Sequence, residues 1–232
     1  MKCNVATSFK GVMEAWCLVY KQYLASSLIQ PNEVSVFTFP QYFSNNTAVV
    51  LGQKMNKTVS TISSVLDSNR GLPLDGYFKQ DLDKLRSEGR KLIEIGLFAD
   101  TRKDENNFSN LVELMSAIAK FGVYSNHHDY VIGVHPRRAS FFNSIFGFKL
   151  ISTVKQYGVL NSAPVVLLHA CGKEMETLAL GANQKIYSEN TDLDFDSRYK
   201  FNPQNFISNI EFDLTVDNII RKIWNTPLLK TA

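Results

Sequence analysis

The chain has 232 residues, of which 44% are apolar and 20% are charged, and its formal net charge is +3. This is the composition of an ordinary globular protein with a substantial core, and the charge is too small to indicate a nucleic-acid-binding protein. The three cysteines are widely separated and form no CxxC spacing. They argue against a disulfide framework and favour a cytoplasmic protein.

The N-terminal part of the chain predicts a short strand, a helix and a hairpin. Residues 2–7 alternate weakly, and apolar residues over 9–28 recur at three- and four-residue steps, as in an amphipathic helix. Glu14 and other polar residues interrupt this apolar stretch, so we expect neither a signal peptide nor a membrane span. Two β-branched runs, 48–53 and 59–66, predict the hairpin.

The middle of the chain predicts a helix, a strand and a second helix. The helix over 78–88 is polar, and the strand over 91–99 carries one acid, Glu94, among apolar residues. The sequence Asn-x-x-Glu over 110–113 resembles a capping pair. It predicts that the next helix runs over residues 110–120.

Two further strands and a helix complete the first 170 residues. Residues 130–134 predict a strand, after which Pro136 fits the first turn of a helix and Gly147 fits its left-handed end. Strands over 154–160 and 164–170 follow, joined by an Asn-Ser turn.

The chain divides by character at residue 170, into a domain over 1–170 and a C-terminal extension over 171–232. The extension contains an acidic stretch at 192–196 and a short amphipathic pattern over 214–224 that predicts a helix. This extension either caps the domain or binds a partner. The helix has the character to touch a membrane surface weakly, although packing on the domain is the favoured alternative.

Several short segments, occurring in a fixed order over residues 5–170, carry a resemblance to a known family. The chain resembles the GNAT acyltransferases, and among them the long-chain N-acyl amino acid synthases (the FeeM-like branch), which are related to acyl-homoserine-lactone synthases. The segments are 15–23 (AWCLVYKQY), 71–75 (GLPLD), 85–90 (LRSEGR), 92–95 (LIEI), 134–148 with its HPR triplet, and the closing strand around 164–168.

The resemblance implies an α+β fold of three layers. Its centre would be a GNAT-like mixed, mostly antiparallel sheet with splayed central strands, and helices would cover both faces. In this family the pantetheine arm of the acyl donor enters between the two splayed strands.

The segment after the Glu94 strand departs from the pattern of CoA-using GNAT enzymes. Those enzymes carry a glycine-rich loop whose backbone N–H groups bind the pyrophosphate. Residues 100–107 read DTRKDENN and contain no glycine, so the backbone cannot easily approach two phosphates. An acyl carrier protein, which presents pantetheine on one phosphate, does not need such a loop. We therefore expect acyl-ACP as the donor, with acyl-CoA as the alternative, and no tightly bound cofactor.

Glu94 is the predicted catalytic residue. N-acylation requires a deprotonated amine, and a carboxylate in dry surroundings has a raised pKa that makes it a better base. Strand alternation places Glu94 on one face with Leu92, Gly96 and Phe98. The alternatives are an acid that faces solvent or one member of a buried ion pair.

Basic residues are predicted to bind the donor. Arg137 and Arg138 fall in the first turn of their helix, where cations oppose the helix dipole and an anionic donor would compensate them. Arg102 and Lys103 follow the Glu94 strand and extend the same predicted patch. The alternative for all four is a solvated surface.

The acceptor and the acyl chain have their own candidate residues. Asp75 is a candidate for the ammonium group and Arg90 for the carboxylate of an amino acid, although a capping role for Asp75 is favoured narrowly. The aromatic residues around the helix that ends at Gly147 are core residues first, and only second an acyl lining. The predicted substrate-binding set also contains Trp16, Tyr20, Phe98, Phe141 and Phe142.

The predicted function is transfer of a long acyl chain from an acyl-carrier-protein thioester to the α-amine of an amino acid. The alternatives are an acyl-CoA-dependent enzyme that acts on another amine and a non-catalytic acyl-binding or partner-binding module. The four histidines lack zinc-site spacing, and GxSxG, Walker and GxGxxG motifs are absent from the sequence. We therefore expect no metal.

Overall fold

The computed structural model describes residues 2–44, 46–101 and 107–172, together with Lys222. The strands of this part are β1 (Lys2–Val5), β2 (Thr47–Lys54), β3 (Lys57–Leu66), β4 (Leu92–Asp100), β5 (Asp129–Val134), β6 (Lys149–Leu150), β7 (Lys155–Tyr157) and β8 (Ala163–Cys171). Its α-helices are α1 (Phe9–Ala25), α2 (Asp75–Ser87), α3 (Asn107–Tyr124) and α4 (Ala139–Phe146).

The strands form one sheet in the order β1-β2-β3-β4-β5-β8-β6, and β7 pairs with β8 beside β6. Every pair is antiparallel except the central pair, β4 and β5, which is parallel. The predicted mixed, mostly antiparallel sheet is therefore confirmed. A parallel pair requires a crossover between its strands, and α3 supplies it.

Helices cover both faces of the sheet and create two hydrophobic cores. On one face, α1 and α2 pack over a core that includes Leu92 and Val131. On the other face, α3 and α4 pack over a core that includes Ile93 and Tyr130. The alternating burial of neighbouring strand residues in opposite cores confirms the expected three layers.

Helix α1 follows from its sequence pattern. Val12, Trp16 and Val19 recur at three- and four-residue steps and are fully buried. Ser8 precedes the helix in extended conformation, and its Oγ accepts a hydrogen bond from the Gly11 N–H at 3.2 Å. An apolar stripe and a side-chain cap together fix the position of this helix.

Three predicted boundaries were wrong. Asn110 does not cap α3, because the helix begins at Asn107 and Asn110 is buried within it. Helix α2 begins at Asp75, three residues earlier than predicted. The strand predicted over 154–160 is shorter, since a 3₁₀ turn over Gly158–Leu160 follows β7 directly.

The predicted left-handed end of α4 is confirmed. Gly147 has φ = 71°, and its N–H donates to the Asn143 carbonyl at 3.0 Å. The Phe148 N–H donates to the Phe142 carbonyl at 3.3 Å, and the Phe148 side chain is completely buried. This pair of bonds with its apolar contact ends the helix and starts β6.

None of the helices in the described part of the chain has the length and apolarity needed to cross a membrane. The predicted C-terminal extension lies outside the described residues, apart from 171, 172 and 222. Apart from Lys222, the predicted helix over 214–224 lies outside them too, and the division of the chain at residue 170 stays a prediction.

Two glycines give a matched test of the backbone conformation at helix ends: Gly147 follows the last residue of α4, and Gly76 lies in the first turn of α2. Gly147→Ala forces a side chain into the left-handed region and should lower Tm by about 2–6 °C. Gly76→Ala meets no atom within 4 Å and should leave Tm unchanged or raise it. Thermal unfolding monitored by circular dichroism measures both. Equal changes in the two variants would contradict the assigned backbone.

Candidate functional site

The two central strands separate halfway along their length. They pair in parallel from Leu92–Asp129 to Ile95–Ile132, and the pairing stops there although both strands continue. Backbone groups of β4 beyond Ile95 that point toward β5 therefore have no ladder partner in that strand. A gap opens between the strands at their carboxyl ends, as the resemblance implied.

A β-bulge turns β4 away from β5 at this point. Gly96 pairs with Ser63 of β3, but the next residue pair of the ladder joins Ala99 to Thr61. Two residues of β4 therefore face one residue of β3, and Leu97 adopts φ = 50°. Such a bulge bends its strand and increases the local twist, which accounts for the separation of the two strands.

Because of the bulge, the prediction that Phe98 shares a face of β4 with Glu94 is wrong. Leu97, rather than Phe98, lies in the same hydrophobic cluster as Leu92 and lines the same cavity as Glu94. Phe98 is 37% exposed and does not line that cavity. The extra residue shifts the alternation by one position, so a strict two-residue period fails after Gly96.

A cavity of about 70 Å³ lies where the strands part. Gly96 of β4 and Gly133 of β5, the first residues beyond the last β4–β5 pair, both line it. A Cβ atom on Gly133 would lie 2.8 Å from Leu74 Cδ2, so a side chain there would collide with the opposite wall. The absence of side chains at both positions leaves the gap open between the strands.

Glu94 lines this cavity and is almost completely buried, with 4% of its surface exposed. Its Oε2 accepts a hydrogen bond from the Leu74 N–H at 2.9 Å. Within the described part of the chain no cation forms an ion pair with it. Glu94 is therefore neither a solvent-facing acid nor, among these residues, half of an ion pair.

Burial raises the pKa of Glu94 well above its ordinary value, because the carboxylate loses its hydration. The hydrogen bond from Leu74 opposes this effect, and the negative charges of Asp75 and Asp67 raise the pKa further. A carboxylate in this state accepts a proton more readily than a solvated one.

Three tyrosines line the same cavity as Glu94, namely Tyr23, Tyr42 and Tyr157. Burial raises the pKa of Tyr23 to about 12, and burial together with the charge of Glu94 raises the pKa of Tyr42 and of Tyr157. All three hydroxyls stay protonated at neutral pH and are potential hydrogen-bond donors. None of the three was predicted from the sequence to belong to the site.

The carboxylate of Asp75 is hydrogen-bonded by neighbouring residues of the chain. Its Oδ2 accepts a hydrogen bond from the Leu72 N–H at 2.7 Å, and Arg86 Nη1 and Nη2 contact its two oxygens at 2.7 and 2.9 Å. The predicted helix cap is wrong, because Asp75 is the first residue of α2 and accepts a hydrogen bond from the turn before the helix, not from its first turn. These contacts support a structural role, because both oxygens are already bonded.

Arg86 joins this turn to a loop after β3, a role that the sequence did not predict. Its Nε lies 2.6 Å from Asp67 Oδ2, and the pKa of the guanidinium is raised by its bonds to Asp75 and Asp67. The turn that Asp75 and Arg86 hold is the one that presents the Leu74 N–H to Glu94. The spacing of 19 residues between Asp67 and Arg86 gives no periodic signal that would have revealed the pair.

Arg90 lies before β4, at the closed end of the β4–β5 pair. It forms ion pairs with Glu88 at 3.0 Å and with Asp129 at 2.8 Å, and His169 Nε2 lies 2.8 Å from the same Asp129 oxygen. The structure therefore does not bring Arg90 to the Glu94 cavity. No group of His, Cys, Asp and Glu side chains suited to a metal ion occurs among the residues that the structure describes.

Trp16 and Tyr20 lie behind the cavity wall and do not line it. Trp16 Nε1 donates to Ser63 Oγ at 3.4 Å, and the Trp16 ring packs edge-on against Tyr42 with centroids 6.5 Å apart. The Tyr20 hydroxyl accepts a hydrogen bond from the Asn32 N–H at 3.3 Å. Both side chains thus order the segment between α1 and β2 that carries Tyr42.

Phe141 and Phe142 lie on the opposite face of the sheet from Glu94. They are partly buried against the cluster beneath α3 and α4, and the Phe142 ring contacts the Phe148 ring with centroids 6.1 Å apart. The core role that the sequence analysis placed first is therefore observed for both residues.

Arg137 and Arg138 occupy a 3₁₀ turn over Pro136–Arg138 that precedes α4, not the first α-helical turn as predicted. Both are exposed, and neither has an ion-pair partner in the described ranges. They follow the carboxyl end of β5, on the side where the strands part. Arg102 and Lys103, predicted to extend this patch, lie outside the described residues.

The chain is similar to known acyltransferases over most of its length. The family model "N-acyl amino acid synthase FeeM" matches residues 14–171. The structure is similar to that of FeeM, an N-acyl amino acid synthase from uncultured soil microbes, with 20% identity, a TM-score of 0.66, and coverage of 77% of this chain and 99% of that chain. A comparison with curated protein sequences gave no match.

Two further solved structures share the fold. The AHL synthase LasI is 12% identical, with a TM-score of 0.59 and coverage of 78% of this chain and 95% of that chain. The aminoglycoside 6'-acetyltransferase type Ii is 8% identical, with a TM-score of 0.51 and coverage of 74% of this chain and 97% of that chain. At these identities the solved structures show the fold alone, which is GNAT-like, as expected.

The burial of Glu94 has a measurable consequence for stability. The pKa of Glu94 is higher in the folded chain than the value of about 4.3 for an exposed glutamate, so the folded state binds more protons between the two values. Wild-type stability should therefore fall as pH rises through this window. Glu94→Gln removes the charge and should raise Tm at pH 8 but not at pH 4. Differential scanning calorimetry across this range measures the effect, and a lower Tm for Glu94→Gln at pH 8 would contradict it.

Proposed function

Because the chain belongs to the N-acyl amino acid synthase FeeM family and is an N-acyltransferase, we propose that it transfers a long-chain acyl group from an acyl-carrier-protein thioester to the α-amine of an amino acid. The observation that carries this proposal is the buried Glu94 carboxylate beside the gap between β4 and β5. A thioester arm that enters the gap brings its carbonyl carbon beside a base.

Glu94 is the proposed base of the reaction. The amine of the acceptor donates a hydrogen bond to the carboxylate oxygen that Leu74 does not occupy, and Glu94 removes a proton as the nitrogen attacks the carbonyl carbon. The raised pKa of Glu94 suits this step, since a base works best when its pKa lies near the working pH.

Backbone N–H groups of β4 beyond Ile95, which have no ladder partner in β5, are the proposed donors to the carbonyl oxygen in the transition state. They belong to a strand that its pairing with β3 holds in place, so they need little reorganisation when charge develops. Fixed donors in a dry site stabilise such charge better than water does.

The cavity of about 70 Å³ is large enough only for the reacting groups. We place the remaining acyl chain through the gap, where it reaches the face of the sheet that α3 and α4 cover and where Phe141 and Phe142 pack against the core. Each methylene that is buried contributes about 0.8 kcal/mol, so a long chain binds more tightly than an acetyl group.

The donor is proposed to be held by Arg137 and Arg138. Both guanidinium groups are exposed without an ion-pair partner among the described residues, and they follow β5 at the open end of the gap. A single phosphate on pantetheine and an acidic carrier-protein surface are suitable partners for such arginines. Arg102 and Lys103 are proposed to extend this basic patch by their position after β4.

The acceptor's carboxylate is not assigned to Arg90, because Arg90 lies at the closed end of the strand pair and binds Glu88 and Asp129. Mass spectrometry of lipids from cells that overexpress the chain identifies the acceptor and the acyl length together. A new amide-linked amino-acid lipid is the expected product.

Replacing the base should abolish most of the activity. Glu94→Gln is isosteric and should reduce kcat by about 10²-fold to 10⁴-fold, because the amine keeps its proton. In the wild type, kcat should rise with pH until Glu94 is ionised, and its raised pKa places this rise above the usual carboxylate range. Product formation followed by mass spectrometry measures both effects. Glu88→Gln, an exposed acid, is the control, and equal rates for Glu94→Gln and wild type would refute the assignment.

Removing the two arginines should affect donor binding rather than chemistry. The variant Arg137→Ala/Arg138→Ala should raise KM for acyl-ACP about tenfold or more and leave kcat nearly unchanged. The effect should shrink at high salt, because exposed charges are screened. The matched control is Lys10→Ala/Lys57→Ala, which removes two exposed charges elsewhere. A wild-type KM that is lower for acyl-CoA than for acyl-ACP would favour a CoA donor.

A further inference from the structure

The Tyr42 hydroxyl is a buried polar group without a partner. Tyr42 is 2% exposed, and its Oη forms no hydrogen bond with any residue that the structure describes. Buried hydroxyls are normally hydrogen-bonded, because an unpaired one loses its water without compensation. Such a group at the wall of a cavity calls for a ligand atom as its partner.

The hydroxyl is aimed at the place where the strands part. A Cβ atom on Gly96 would lie 2.8 Å from Tyr42 Oη and 4.0 Å from Glu94 Oε1. Both oxygens therefore border one point next to β4, and residue 96 leaves that point free because it is glycine. A substrate atom at this point is within hydrogen-bond distance of the Tyr42 hydroxyl.

Neighbouring aromatic rings fix the direction of the hydroxyl. Tyr42 ends a 3₁₀ turn over Pro40–Tyr42, and its ring packs against those of Trp16 and Phe39, with centroid distances of 6.5 and 6.3 Å. Rings packed in this way cannot turn the hydroxyl toward solvent without moving the core. The donor is therefore preorganised before any ligand binds.

Glu94 and Tyr42 differ in hydrogen-bonding capacity, and this difference indicates which substrate each of them contacts. Glu94 as a carboxylate only accepts hydrogen bonds, so it takes the N–H of the amine. A phenol that donates to the amine nitrogen would occupy the lone pair that must attack. The Tyr42 proton is therefore left for an acceptor atom, and the carbonyl oxygen of the acyl thioester is the acceptor next to the attacked carbon.

We propose that the Tyr42 hydroxyl donates a hydrogen bond to the carbonyl oxygen of the acyl thioester and stabilises the negative charge that this oxygen gains in the transition state. This inference rests on the proposed acyl transfer. It adds a side-chain donor to the backbone donors of β4.

The step conserves atoms and charge. The amine lone pair forms the C–N bond, the carbonyl π pair moves onto oxygen, and the amine proton passes to Glu94. The oxygen lone pair then restores the C=O bond, the C–S bond breaks, and the sulfur leaves with the proton from Glu94. Negative charge thus leaves Glu94 as it appears on the oxygen beside Tyr42, so the cavity never holds two anions.

Tyr23 and Tyr157 also line the cavity, but their oxygens are not among the fully buried atoms that lack a partner in the described part of the chain. Tyr42 is also the tyrosine whose hydroxyl approaches the Gly96 backbone. These two observations select Tyr42 from the three.

Tyr42→Phe removes the hydroxyl and keeps the ring. The kcat for acyl transfer should fall about a hundredfold with little change in KM, as for loss of one oxyanion donor. Tm should stay the same or rise, because an unpaired buried hydroxyl is lost. The control is Tyr130→Phe, whose hydroxyl donates to the Ala119 carbonyl on the other face of the sheet. It should lower Tm and leave kcat unchanged.

A spectroscopic measurement tests the contact without turnover. The probe is the dodecanoyl thioester of pantetheine, labelled with ¹³C at the carbonyl and added without an amine. Isotope-edited infrared spectroscopy should show a lower carbonyl frequency in wild type than in Tyr42→Phe, since a hydrogen bond weakens the C=O bond.

The outcomes separate this inference from the proposed function. Equal carbonyl frequencies in the two proteins overturn the inference, whatever the rates are, and so does an unchanged kcat in an active Tyr42→Phe enzyme. If wild type acylates no amine, the proposed function fails, while the infrared shift still decides whether Tyr42 contacts the carbonyl. A frequency shift combined with a loss of kcat supports both.

Discussion

The separation of β4 from β5 beyond Ile95 and Ile132 is the constraint on which the site depends. Antiparallel pairing continues to hold β4 against β3, but the bulge at Leu97 turns the strand away from its parallel neighbour. A sheet normally satisfies its own backbone groups, so unpaired strand edges inside a molecule are rare. Here they leave a gap between two strands, each of which stays paired with a neighbour on its other side.

The same geometry raises the pKa of the Glu94 carboxylate and makes the burial of its charge unfavourable. Glu94 lies before the bulge, on the face covered by α1 and α2, and its burial raises its pKa. The Leu74 N–H compensates part of the lost hydration, and Asp75 and Arg86 hold the turn that presents this N–H. A network outside the cavity therefore orients the proposed base. Catalytic sites commonly store such unfavourable burial, which the remaining core must offset.

Most elements of the fold could be predicted from the sequence, since their signals are local. The apolar spacing of α1 and the glycine that ends α4 depend on neighbours within a few residues. The predicted start of α3 was wrong because Asn110 resembles a capping residue in the sequence but lies inside the helix, where tertiary packing buries it. The predicted face of Phe98 was wrong because Leu97 has a positive φ. A leucine in a sequence gives no signal of such a conformation.

What the sequence by itself determined is an apolar strand with one acid, Glu94, in a chain whose ordered segments resemble the N-acyl amino acid synthases. The tertiary structure decided which side chains meet that acid. Tyr42 and Tyr157 come from segments far apart in the chain and converge on Glu94 only when the helices and strands pack. Periodicity reports which face of an element is buried, but contacts between distant elements depend on how those faces are stacked. A hydroxyl left without a partner is therefore visible only in three dimensions.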